Sequence, residues 1–132
     1  MRRTTLGLGL AILTAGAASA GPLDRYRDRA RVLVLSAPDG GDAQLRAQRA
    51  ALGAARASVA ERDLVVLEAI GSGAGALALR ARLGLPADRF RAVLIGKDGG
   101  AKLAADTPIP PQTLFATIDA MPMRRAEMQG RR

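Results

Sequence analysis

Ser36, Asp39, Asp42, Lys97, Asp98 and Asp119 are the side chains whose type and setting suit nucleophilic, acid–base or electrostatic chemistry. None has an imidazole or a thiol to work with, because the chain contains no histidine and no cysteine. That removes the commonest general base, nucleophile and soft metal ligand together. Thiol oxidoreductase and thiol peroxidase activity are therefore excluded by chemistry. Ser36 has no histidine to activate it. Asp39 and Asp42 flank a turn, Asp39-Gly40-Gly41-Asp42, but two carboxylates are few against the 6 to 8 oxygen ligands that calcium takes. A turn and a helix cap is the expected role of this pair. Carboxylate-only chemistry, of the kind that cleaves sugars, is a further reading for Asp98 or Asp119 near Lys97, and it needs two convergent carboxyl groups.

Two other patterns invite a functional reading. Gly71-x-Gly73-x-x-Ala76 lies after an apolar run and before a helical one, as a dinucleotide-binding turn would. The following strand ends in Ile95-Gly96-Lys97 rather than in an acidic residue for a ribose, so no cofactor is expected. A flexible glycine turn is the plainer reading, and its backbone amides also suit an anion. The second pattern is a basic surface, Lys97, Lys102, Arg124 and Arg125. Nucleic acid is not the expected partner, because the stacking aromatics such binding uses are missing: the chain has one tyrosine and two phenylalanines. An envelope protein, acidic lipid head groups or an acidic polysaccharide fit better. Lys97, Arg124, Arg125, Asp39 and Asp42 are accordingly the candidate interaction residues.

Compartment follows from the first twenty residues. Arg2-Arg3 form a basic start, Leu6 to Ala18 carry no charge, and Ala18-Ser19-Ala20 supply the small residues of an export cleavage site before Gly21. The apolar run is short of the ~20 residues that span a bilayer and is interrupted by glycines. Thr4-Thr5 after the arginine pair gives little support to twin-arginine export, and Gly21 stands where a lipid-anchored protein would need cysteine. A periplasmic or secreted protein is expected, with no membrane span once cleaved. Its net charge falls from +8 to +6 with the two arginines. With no disulfide available, packing alone must hold one small domain together.

The elements that must position these residues are legible as apolar runs between breakers. Arg31–Leu35 and Leu64–Ile70 read as strands buried on both faces, and Phe90–Ile95 as a third. Asp42 caps a helix expected to reach Ala60, with Leu45, Gln48, Leu52, Ala55 and Val59 on one stripe. A second helix follows Gly75 and stops at Leu83-Gly84-Leu85-Pro86. Gly96–Gly100 turns the chain into a short fourth strand around Ala101–Ala104. The prolines at 108, 110 and 111 start a last helix through Leu114, Phe115, Ile118 and Met121, which Pro122 ends. Residues 122–132 are expected as a basic, partly disordered tail beyond a domain spanning 21–121. The order β-α-β-α-β-β-α, with a closing hairpin, implies a central four-stranded mixed sheet flanked by helices. It is the order of the thioredoxin architecture.

Four segments carry a closer resemblance: Arg31-Val-Leu-Val-Leu-Ser-Ala-Pro38, Glu61-Arg-Asp-Leu-Val-Val66, Val93-Leu-Ile-Gly-Lys-Asp-Gly-Gly100 and Ile118-Asp-Ala-Met-Pro-Met-Arg-Arg125. Together they resemble a bacterial exported domain-of-unknown-function family, number 4174, thioredoxin-like and related to domains in animal sushi-repeat and coiled-coil matrix proteins. The resemblance implies an exported, thiol-free use of the fold, no established reaction and no catalytic residue to carry over. The expected function is a non-catalytic binding or interaction module of the cell envelope. The alternatives are a carboxylate-based hydrolase of envelope glycans and a structural stress protein.

Overall fold

The computed structural model describes residues 21–130, so the expected export signal lies outside the described residues. The elements are β1 (Arg31–Ala37), α1 (Ala43–Ala54), α2 (Arg56–Glu61), β2 (Leu64–Ile70), α3 (Ala74–Leu83), β3 (Arg91–Ile95), β4 (Ala101–Ala105), α4 (Pro111–Asp119) and α5 (Pro122–Gly130). A short 3-10 turn at Asp24–Tyr26 precedes them. The strands form the expected four-stranded mixed sheet in the order β2-β1-β3-β4. β1 runs parallel to β2, from Arg31 opposite Leu64 to Ala37 opposite Ile70. β3 is antiparallel to both β1 and β4.

Every residue of the central strand β1 is buried, and its alternation divides the core in two. Leu33, Leu35 and Ala37 pack with Leu45 and Leu52 of α1 and with Leu114 and Ile118 of α4. Val32 and Val34 pack with Leu23 and with Ala76 and Leu79 of α3. Helices thus cover both faces, which is why the strand reads as an unbroken apolar run. Gln48 lies within the stripe of α1 but is not an apolar filler. Its amide donates to the Ile109 carbonyl at 3.0 Å and accepts from the Ile109 amide at 2.7 Å, holding the proline-rich loop before α4.

Two expectations need correcting. The helix after Asp42 does not run unbroken to Ala60, because Ala55 (φ −116°, ψ 28°) leaves helical geometry and separates α1 from α2. Over Pro122–Gly130, the described part of the expected partly disordered tail, the chain is instead helix α5. Proline is tolerated in a helix's first turn as readily as it terminates the preceding one, and Pro122 does both. Gly84 behaves as read, closing α3 in the left-handed conformation with φ 65°.

Candidate functional site

The candidate residues separate to opposite ends of β1. Asp39 and Asp42 follow its carboxyl end, where Asp39 accepts from the Gly41 amide at 2.8 Å and Asp42 caps α1 by accepting from the Leu45 amide at 3.0 Å. Lys97 and Arg124 meet at its amino end, about 20 Å away along seven residues of strand.

The carboxyl ends of β1 and β2 are plugged from within. Arg80, buried on α3, donates to the carbonyls of Gly71, Ala37 and Ala69 and to Ser36 Oγ. Ser36 in turn donates to the Pro86 carbonyl at 2.9 Å, so its hydroxyl is a structural link. No carboxylate pairs with Arg80 among the described residues; neutral oxygens alone surround it. Arg80 is a functional-looking residue that sequence reasoning did not single out. The guanidinium fills the crevice at which α/β sheets ordinarily receive ligands.

At the amino end of β1 the arrangement is ionic. Arg31 opens the strand, and its fully buried guanidinium donates through both Nη atoms to Glu127 of α5, at 3.3 and 3.1 Å. The Lys97 ammonium lies between Glu127 (2.7 Å) and Asp63 (3.0 Å). Arg124, 1% exposed, reaches Glu61 at 2.6 Å and Asp119 at 3.0 Å. Arg62 takes the other Asp119 oxygen at 2.9 Å and lies over the Phe115 ring, 4.3 Å from its centre. Asp63 holds its place in the left-handed region, φ 49°, a conformation that aspartate adopts more readily than most residues. Arg125, by contrast, is exposed and makes no ion pair among the described residues.

These contacts decide protonation. Burial opposes ionisation of Glu127, but the hydrogen bonds and charges of Arg31 and Lys97 outweigh it and bring its pKa down to about 2. The hydrogen bond from Arg62 lowers Asp119 below the usual carboxylate range, with burial opposing and Arg124 adding to it. Lys102, with the Gly100 amide, does the same to Asp98. Carboxylates held ionised in this way are the opposite of a general acid, which needs a raised pKa. Among the described residues no cluster of three or more acidic side chains is arranged to hold a metal ion.

Beside this network lies a cleft of about 260 Å3, between the β3–β4 turn and the first turn of α5. Met121, Pro122 and Met123 form its apolar side; Arg31, Lys97 and Lys102 form its cationic side. The register explains how Lys102 arrives there. Leu94 pairs with Leu103 and Ile95 with Ala101, leaving Lys102 as the extra residue of a bulge, the irregularity by which a strand re-aims a side chain. Its stem packs over Gly96, where an added Cβ would stand 2.7 Å from Lys102 Cε. Sequence reasoning missed Arg31 and Glu127 here. The Arg124-x-x-Glu127 spacing was the signal for helix α5.

The family model described as a domain of unknown function, DUF4174, matches residues 22–127, nearly all of the described chain. The protein belongs to that family. Its match ends on Glu127, so the greater part of α5, from Pro122 to Glu127, falls within it. The chain is also similar to the sushi repeat-containing protein SRPX of Rattus norvegicus and of Homo sapiens, 30% identical to each over 120 residues. These alignments cover 80% of this chain but 26% of the animal proteins, so the chain spans about a quarter of their length. No solved structure matches the chain significantly. No helix among the described residues is long and apolar enough to cross a membrane.

Proposed function

We propose that this domain-of-unknown-function protein is an exported, non-catalytic recognition module of the cell envelope, on a thioredoxin-like scaffold without thiols. One observation carries the reading: the ionisable groups at the amino end of β1 are spent on one another, while the cleft next to them stays open. Asp98 and Asp119, the candidates for carboxylate chemistry, are held ionised by Lys102 and by Arg62 with Arg124. The crevice at the carboxyl ends of β1 and β2, the other natural site on such a sheet, is filled by Arg80. The leader-like first twenty residues and the likeness to animal sushi-repeat proteins support export.

Localisation is tested by fusing residues 1–20, and separately the whole chain, to a phosphatase that is active only outside the cytoplasm. Activity of both fusions supports export, and inactivity of both refutes it. Recognition is tested by comparing envelope components retained by the wild type and by Met123→Glu, which places a carboxylate on the cleft's apolar side. Identical retention would refute the cleft as the recognition surface. Turnover of envelope glycans by the purified protein would refute the non-catalytic reading.

A further inference from the structure

Resting on that reading, we propose that the cleft between the β3–β4 turn and α5 is a binding site for a small amphipathic carboxylate, an acyl chain with an anionic end. Three separate features converge on this ligand chemistry.

The first is the division of the walls. Met121, Pro122 and Met123 offer an apolar surface, and Met123, 43% exposed, is one of two large hydrophobic side chains left exposed among the described residues. Opposite stand Lys102, paired with the lining carboxylate Asp98, and the cations Arg31 and Lys97, whose carboxylate partners Glu127 and Asp63 lie outside the lining. A ligand apolar along one side and negative at one end complements both walls.

The second is an unsatisfied donor. Arg31 gives both Nη atoms to Glu127, yet its Nε is enclosed and has no hydrogen-bond partner, the only such side-chain atom among the described residues. A buried donor without an acceptor is costly, and native structures hold few of them. Because Arg31 lines the cleft, an anionic oxygen lodged there lies in the guanidinium's field. Binding as proposed brings the anion's oxygen to this N–H, which requires the rim to shift because the atom is enclosed in the free protein.

The third is the mouth. The bulge places Lys102 across Gly96, where it pairs with Asp98 at 2.8 Å while remaining one-third exposed. An exposed lysine–aspartate pair contributes little stability and exchanges partners at small cost. The first turn of α5 adds the positive end of its dipole on the other side. One free N–H and one exchangeable ammonium match a single monoanionic head. The methionine-lined wall is unsuited to a polyanion such as phosphate. At about 260 Å3 the cleft lies below the usual range of drug-sized pockets, which sets the ligand at a short acyl chain.

The test is a titration of the purified protein, followed by backbone amide shifts, with hexanoate, hexan-1-ol, acetate and inorganic phosphate as separate probes. The expected result is saturable hexanoate binding that moves the amides of Gly96, Lys97, Lys102 and Met123, at least tenfold tighter than any other probe. Lys102→Met keeps the stem and drops the charge; it should weaken hexanoate at least fivefold with an unchanged melting temperature. Gly96→Ala, which forces the Lys102 stem aside, should weaken it similarly. Absence of saturable hexanoate binding, equal binding of the alcohol, tighter binding of phosphate, or indifference to Lys102→Met each overturns the proposal. If hexanoate fails while Met123→Glu still changes retention of envelope components, the ligand class is wrong and the recognition reading stands.

Discussion

Removing the charge of Glu127 tests the ionic network at its most connected point. In Glu127→Gln, Arg31 and Lys97 lose the carboxylate that each contacts, and Arg31 is fully buried. A carboxyl lowered from 4.5 to about 2 is stabilised in its charged form by about 3 kcal/mol, at about 1.4 kcal/mol per pH unit. Breaking a buried pair by removing one partner costs about 3–5 kcal/mol. Glu127 is one-fifth exposed and Lys97 keeps Asp63, so the expected cost falls at or just below the bottom of that range, about 2–3 kcal/mol. Urea unfolding should show a lower midpoint with an unchanged slope, and melting should fall by about 10 °C. The pH dependence supplies the sign. Because the folded pKa lies below the unfolded value, the contribution is complete above pH 4.5 and is lost as the pH falls toward 2. Wild-type stability should therefore decline through that window more steeply than the variant's. A loss under about 1 kcal/mol, or parallel acid profiles, would refute the account of Glu127 as the acceptor on which α5 is anchored.

Arg124→Ala and Arg125→Ala should differ sharply despite their adjacency. The first removes a buried guanidinium that ties Glu61 and Asp119 to α5 and should cost about 3 kcal/mol by urea unfolding, whereas the exposed Arg125 should change stability by less than about 0.5 kcal/mol. Arg80→Met should cost about 3 kcal/mol, because three strand-end carbonyls lose their donor together; a neutral result would show that water replaces the guanidinium there. Leu33→Ala, at a fully buried site of the central strand, should cost about 3–5 kcal/mol in the same assay. Gly84→Ala should cost about 1 kcal/mol, since alanine resists the left-handed cap of α3.

The sheet was legible because its signals are local. Arg31–Leu35 and Leu64–Ile70 are apolar runs bounded by turn formers, and Gly84 and Pro86 mark a helix end through backbone geometry alone. The break at Ala55 was not legible, since the Gly53-Ala54-Ala55 stretch holds no proline and its alanines favour a continuing helix. The site was hidden for a different reason. Arginines near a chain end look solvated in any one-dimensional reading, and only the fold reveals that Arg124 is covered. Arg31 was read only as the first residue of a strand, while its acceptor stands 96 residues later. The bulge that re-aims Lys102 depends on pairing with β3, which no pattern within Ala101–Ala105 records.

The joining of Arg31 to Glu127 has a consequence for timing. A polypeptide is made from its amino end, and the guanidinium is present 96 residues ahead of its acceptor. Until the last helix follows, a positive charge at the head of the middle strand has nothing to neutralise it. The ionic clasp therefore closes only once Glu127 has been made, and a chain truncated before it would leave the buried guanidinium of Arg31 without its carboxylate.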